Sequence, residues 1–283
     1  MRAAGRTAYA RGMNDGIGLR AQLSPQIVVE AARAVVRLDG APLRLTARER
    51  EIVVLLAVAD RPLTVRDVGL ALNPDSDDAN AANAAKVYVH RIRRRAGAAA
   101  IVRRDGGYLL GPGVVRDVTE ARRALASHSG APGPIGADER DRLLEIAASL
   151  RTEPPAALAV REWFTPVGPS LRRLGHDLAM LIGRAALVHG DAGIALSIAR
   201  DLTFEDACDE EAWELLFTAQ VRVGQTAAAV QGLRFYESSL ARELGEAPSP
   251  RLRAMVDRCA IYAEFADVRR SQNGRSRQRL TAS

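Results

Sequence analysis

Between Ile27 and Leu45 short apolar, β-branched runs alternate with turn residues, which is a strand pattern. Ile27–Val29 reads as one strand and Ala34–Leu38 as the next. Asp39-Gly40 reads as a hairpin turn, because both central positions of such a turn need a positive φ. Leu43–Leu45 reads as the returning strand. The period then changes to that of a helix. Thr46 stands three residues before Glu49, the spacing of a capping box. The helix behind it is predicted to run to about Ala59, with Ile52, Leu55 and Leu56 as its buried stripe, and Arg61-Pro62 ends it. Thr64 predicts the cap of a short helix through Leu72, with Asp67 near its positive end. Asn73–Asp78 consists of turn formers and reads as a loop.

A third helix follows. Ala82, Ala85, Val89, Ile92 and Ala96 recur at steps of three and four and predict a face packed on the first two helices. On the opposite side, at about 100° per residue, lie Asn83, Val87, His90, Arg91 and Arg94, with Lys86 and Arg93 flanking them. Gly97 ends the helix. Ala100–Arg104 reads as a strand, Asp105–Gly107 as a turn and Tyr108–Leu110 as the strand that returns. Gly111–Gly113 closes this unit.

Residues 117–127 read as a helix, and Ser127–Gly136, rich in Gly and Pro, as a linker or long loop. From Asp138 to about Arg270 the pattern is helical, with Trp163 and Phe164 as core anchors near a turn between helices. A repeat is visible there. Gly190 and Gly224 each follow a helical pattern and lie 34 residues apart, and Ile194–Leu196 after the first matches Ala228–Val230 after the second. A helix–turn–helix period of 34 is the tetratricopeptide spacing.

Composition narrows the class. With 283 residues, two domains are expected. Apolar residues make up 47% of the chain, which excludes a largely disordered protein. The net charge of +6 leans toward an acidic partner, but Lys86 is the only lysine among 40 basic residues, so arginine is this chain's habitual base. Clustering is therefore evidence and abundance is not. Asn80–Arg104 holds seven positive charges and no acid. A basic helix face opposite an apolar one, with a basic hairpin directly after it, points to a polyanion, most simply duplex DNA, over a merely solvated face. In that reading Asn83, Lys86, Val87, His90, Arg91, Arg93 and Arg94 face the major groove or its rims. Asn can read adenine, Arg guanine and Val a thymine methyl. Arg103 and Arg104 would set the hairpin against the flanking backbone or minor groove.

On these residues the resemblance is plain. Leu45–Glu49, Val87–Arg95 and Ile101–Tyr108 resemble the winged helix-turn-helix domain of the OmpR/PhoB type. Asp209–Leu216 and Ala241–Pro250 resemble the bacterial transcriptional activator domain that follows such a winged helix in SARP/AfsR-type regulators. The resemblance implies a mainly α fold with a small β component: a winged helix followed by an all-α, tetratricopeptide-like domain. It implies a DNA-binding domain over 26–113 and a helical domain over 114–268; the residues themselves read as an unstructured extension over 1–25 and, rich in Arg with no acid, as a basic disordered tail over 269–283. It also implies an activator that binds promoter DNA, commonly as a homodimer on direct repeats. By the same resemblance the loop acids Asp75, Asp77 and Asp78 would contact RNA polymerase, and the helical domain could receive a small-molecule or protein signal. The alternative is an interaction or ligand-sensing adaptor whose helical domain is the working surface.

Other chemistry is sparse. Asp201, Glu205, Asp206, Asp209, Glu210, Glu211 and Glu214 form an acidic run, read chiefly as helix-terminal and solvated charge. His90, His128, His176 and His189 show no ligand spacing, so no metal is expected. No phosphate-binding loop pattern or assembled nucleophile stands out, so neither a cofactor nor an enzyme is expected. Cys208 and Cys259 fit no disulfide framework and read as buried free thiols. No apolar run nears 18 residues and the N-terminus lacks a signal-peptide core, so the expectation is a cytoplasmic protein, with Met13 an alternative start.

Overall fold

A computed structural model describes residues 26–128 and 134–258. Strands β1 (Ile27–Glu30), β2 (Val35–Leu38) and β3 (Ala41–Pro42) form an antiparallel meander. Asp39 and Gly40 both have positive φ, as the tight hairpin requires. Leu43–Leu45, expected as a strand, is not one. The returning strand ends at Pro42, and the Leu45 amide turns back onto the Leu43 carbonyl to enter the helix.

Helix α1 (Ala47–Val58) carries the expected capping box between Thr46 and Glu49. It is buried on two sides. Ile52, Val53 and Leu56 face the N-terminal core, while Val54 joins the core of the helical domain. The expected stripe thus holds for Ile52 and Leu56, with Leu55 only partly buried. Strand β4 (Leu63–Thr64) and helix α2 (Val65–Leu72) follow, the latter with its own Thr64/Asp67 capping box.

Helix α3 (Asp78–Ala96) starts earlier than its sequence suggests, because Asp77 caps it by accepting from the Asn80 amide at 2.8 Å. Its buried stripe is Ala81, Ala85, Val89, Ile92 and Ala96. Ala81 replaces the expected Ala82, and the reason lies on the neighbouring helix. Gly69 of α2 approaches so closely that a Cβ there would sit 2.2 Å from the Ala81 carbonyl oxygen.

Strands β5 (Ile101–Arg104) and β6 (Gly107–Leu110) form the wing around Asp105 and Gly106, again both at positive φ, and β4 pairs with β6. Strand β7 (Val114–Arg116), in the stretch before the expected helix where the sequence pattern predicts no element, pairs in parallel with β1 and completes a sheet ordered β3-β2-β1-β7.

The remainder is helical: α4 (Asp117–Ser127), α5 (Ala137–Arg151), α6 (Ala156–Ala159), α7 (Val167–Val188), α8 (Ala192–Glu205), α9 (Glu210–Arg222) and α10 (Thr226–Glu243), then a helical stretch over 250–258. The linker expected at 127–136 lies partly, and the N-terminal extension, Cys259 and basic tail lie wholly, outside the described residues.

The repeat is real in three dimensions. Gly190 and Gly224 both adopt positive φ, and each closes its helix with the same pair of bonds. Gly190 donates to Leu187 and Asp191 to Ala186; Gly224 donates to Val221 and Gln225 to Gln220. These are Schellman closures. The next helices bury Ala195 and Ala229 completely. Phe164 is buried and meets Trp163 edge-on at 5.6 Å.

The two domains share a seam. Ala31, Ala32 and Ala34 of the β1–β2 turn join the helical core together with Val54. Asp117 at the start of α4 accepts from the Ala31 amide at 2.9 Å.

Candidate nucleic-acid interface

Helix α3 owes its position to its buried stripe, and that stripe fixes which face is free. Asn83, Lys86, Val87, His90, Arg91 and Arg94 are all exposed on the far side. Val87 is 49% exposed and is the apolar residue of this face. The Arg91 guanidinium lies over the Tyr88 ring at 5.7 Å. Lys86, Arg91, Arg94 and Arg103 have no carboxylate partner among the described residues. By contrast, many other arginines among the described residues pair with an acid, as Arg66 does with Asp78 at 2.8 Å.

Two basic residues of the helix have internal tasks. The Arg93 Nε donates to the Ile101 carbonyl at 2.8 Å, and its guanidinium stacks on Tyr108 at 5.8 Å. Arg93 therefore ties α3 to the wing rather than standing free beside Arg94. Arg95 pairs with the fully buried Glu49 of α1. Local spacing could not reveal either bond, because both partners arrive from elsewhere in the fold. Arg103 and Arg104 are exposed on the wing, as expected, with Arg104 3.6 Å from Asp105.

The three loop acids separate. Asp77 is the α3 cap and Asp78 sits inside the first turn, paired with Arg66. Asp75 is exposed with no partner among the described residues.

The acidic run is largely consumed by structure. Asp209 caps α9 and pairs with His176 at 2.5 Å. Glu211 pairs with Arg184 at 2.8 Å, Glu205 with Arg151 at 2.9 Å, and Glu214 with Arg251. The Tyr236 hydroxyl donates to Glu210 at 3.3 Å. The hydrogen bond to Asp209 is the chief cause that raises the His176 pKa above its ordinary value. Cys208 is a free thiol but only half-buried, 3.5 Å from Glu243; the expectation of burial fails because the 206–209 turn carries it to the surface. Among the described residues no His, Cys, Asp and Glu group is arranged to hold a metal, and no helix is long and apolar enough to cross a membrane.

A winged helix whose sheet is locked onto a helical-repeat domain is the architecture of a class of bacterial transcription regulators. The family model for the bacterial transcriptional activator domain matches residues 116–259, half of the chain, and the chain belongs to that family, with the domain order of the SARP/AfsR type. A solved structure described as Mycobacterium tuberculosis EmbR in complex with low affinity phosphopeptide is similar in fold, with a TM-score of 0.64 at 20% identity. That match covers 84% of this chain and 65% of the other, so this chain spans just under two thirds of that neighbour's length. No curated protein matches the chain.

Proposed function

We propose that this chain is a sequence-specific duplex-DNA-binding regulator, acting in the cytoplasm as a promoter activator. The observation that carries the reading is the unpaired set Lys86, Arg91, Arg94 and Arg103 on α3 and the wing, in a protein that elsewhere pairs many of its arginines. Helix α3 enters the major groove with Asn83, Val87, His90 and Arg91 toward base edges, while Lys86, Arg94, Arg103 and Arg104 neutralise phosphates. Arg93 supports this face by holding the wing against the helix. The loop around Asp75 is the surface we assign to RNA polymerase, with Asp77 and Asp78 shaping it. Homodimers on direct repeats would space their half-sites by a helical turn or a multiple of it. The helical domain receives the signal, small molecule or protein.

Binding of the full chain to labelled genomic duplexes, followed by fluorescence anisotropy against salt, tests this. Arg94→Ala should reduce the log–log salt slope by roughly 1, as loss of a phosphate contact does, and Arg91→Ala should weaken binding by about 1–3 kcal/mol and relax specificity at one base position. Absence of salt-dependent binding to any genomic fragment would sink the proposal. Replacing Asp75, Asp77 and Asp78 together by Ala should lower activated transcription while DNA affinity stays. Equal loss of both would remove the polymerase assignment.

A further inference from the structure

A cleft of about 690 Å³ opens between the outward face of the β3-β2-β1-β7 sheet and helix α5. That size falls within the range of small-molecule sites, roughly 300–1,000 Å³, and such sites favour domain boundaries. Its floor is apolar: Val28 of β1, Val115 of β7 and Ile146 of α5 are half-buried there, beside Ala148. Ser149 lines the same cleft. It is only 3% exposed, yet its Oγ has no hydrogen-bond partner among the described residues. A buried hydroxyl without a partner carries a desolvation penalty that a ligand group can remove.

The walls decide what kind of ligand fits. Glu30 accepts from Arg37 at 2.7 Å and from Arg33 at 3.4 Å, and Arg142 donates to Glu120 at 2.7 Å. The Asp117 carboxylate is occupied by the Ala31 and Val118 amides at 2.9 and 2.8 Å. Glu145 is the lining carboxylate without a partner among the described residues; with Glu30, Asp117 and Glu120 it makes four lining acids against the three arginines Arg33, Arg37 and Arg142, and Arg123, paired with Glu120 from beside the cleft, supplies the fourth positive charge. The cleft is therefore an apolar floor inside a rim whose charges already neutralise one another. An anionic ligand would have to displace one of those pairs, and a cation would meet only Glu145, whose solvent exposure makes such a pair weak.

We propose that this cleft binds a small uncharged molecule with an apolar body and a carbonyl or hydroxyl that hydrogen-bonds Ser149. The body covers Val28, Val115 and Ile146. Because β1 and β7 belong to the winged-helix sheet and α5 to the helical domain, the occupant touches both and stabilises their present arrangement by mass action. The inference stands apart from any DNA contact.

Nile red, an uncharged fused-ring dye with one carbonyl, is a suitable probe for the full-length protein. Saturable, blue-shifted emission with one dye per chain is expected. Ala148→Trp, on the exposed side of α5, should fill the cleft and weaken the dye by tenfold or more, with the far-ultraviolet circular dichroism unchanged. Ser149→Ala should weaken it roughly fivefold, the share of one hydrogen bond. Should Ala148→Trp misfold, Ser149→Ala carries the test alone. Absence of saturable binding, or wild-type affinity in a folded Ala148→Trp or in Ser149→Ala, overturns the site. Tighter binding of anilinonaphthalene sulfonate, lost in the same variants, overturns the uncharged ligand class.

Discussion

The Arg161 Nε lies 2.8 Å from the Glu51 Oε1, joining the loop before α7 to the middle of α1 across the seam between the domains. Glu51 is 6% exposed and is also held by Arg48 at 3.0 Å and faced by the Trp163 indole N–H at 3.5 Å. Burial pushes its carboxyl pKa up, while Arg48 and the indole N–H pull it back. Removing one partner of a buried charge leaves the other under-compensated. Arg161→Ala should therefore lower unfolding free energy by about 1–3 kcal/mol. Urea titration read by Trp fluorescence measures this directly. A variant with an unchanged midpoint would show that this ion pair does not help to hold the seam.

Much of this architecture was legible in the sequence because its determinants are local. Thr46 with Glu49, Thr64 with Asp67, the two hairpin turns at Asp39-Gly40 and Asp105-Gly106, and the paired glycines 190 and 224 each declare themselves within a few residues. What escaped depends on distant partners. Ala81 is buried because Gly69 lets α2 come close. Val114–Arg116 is a strand because β1 has an open edge. At the candidate interface the free face of α3 could be read from its period. The split between Arg94, which is free, and Arg93 and Arg95, which are engaged, required the wing and Glu49 to be in place.

Stability should fall as pH rises from mildly acidic to mildly alkaline values. Burial is the main cause that raises the Asp117 carboxyl from 3.8 to about 6, against the opposing Ala31 and Val118 amide bonds. His176 is raised above 6.5, chiefly by its bond to Asp209. Both folded values exceed the unfolded ones. The stability each group contributes is fully present below its unfolded pKa and is lost as pH rises through its folded pKa. For Asp117 that window runs from about pH 4 to 6 and is worth up to ~3 kcal/mol; for His176 it begins near 6.5. Asp209 is lowered and loses its contribution only as pH falls below 3.8, outside this range. Thermal melts at steps of pH should show Asp117→Asn flattening the lower window and His176→Gln the upper. Profiles parallel to the wild type would contradict both assignments.

The two repeat glycines offer a matched pair. A Cβ at Gly190 or Gly224 would meet nothing within 4 Å, so no steric clash accompanies substitution. The cost comes from φ values of 89° and 78° alone. Left-handed backbone disfavours a Cβ by roughly 1–2 kcal/mol. Gly190→Ala and Gly224→Ala should each destabilise by that amount, and nearly equally, because the closures are equivalent. A double variant should be close to additive, since the two turns share no hydrogen-bond partner. A cost several times larger at one of them would mean that its turn has a further task.

Adjacent residues Arg93 and Arg94 should separate stability from DNA affinity. Arg93 is bonded to the Ile101 carbonyl and stacked on Tyr108, so Arg93→Ala removes one hydrogen bond and one cation–π contact inside the protein. A loss of about 1–2 kcal/mol is expected. Its salt slope on duplex DNA should stay that of the wild type, because the guanidinium is committed to the wing. Arg94 is exposed and has no partner among the described residues. Arg94→Ala should leave stability within about 0.5 kcal/mol and lower the salt slope by roughly 1. Chemical denaturation and anisotropy on the same two proteins measure both quantities. If Arg93→Ala cuts the slope as deeply as Arg94→Ala while the fold melts normally, Arg93 faces the nucleic acid. The wing would then be held to α3 by the packing of Tyr108 and Ile101 alone.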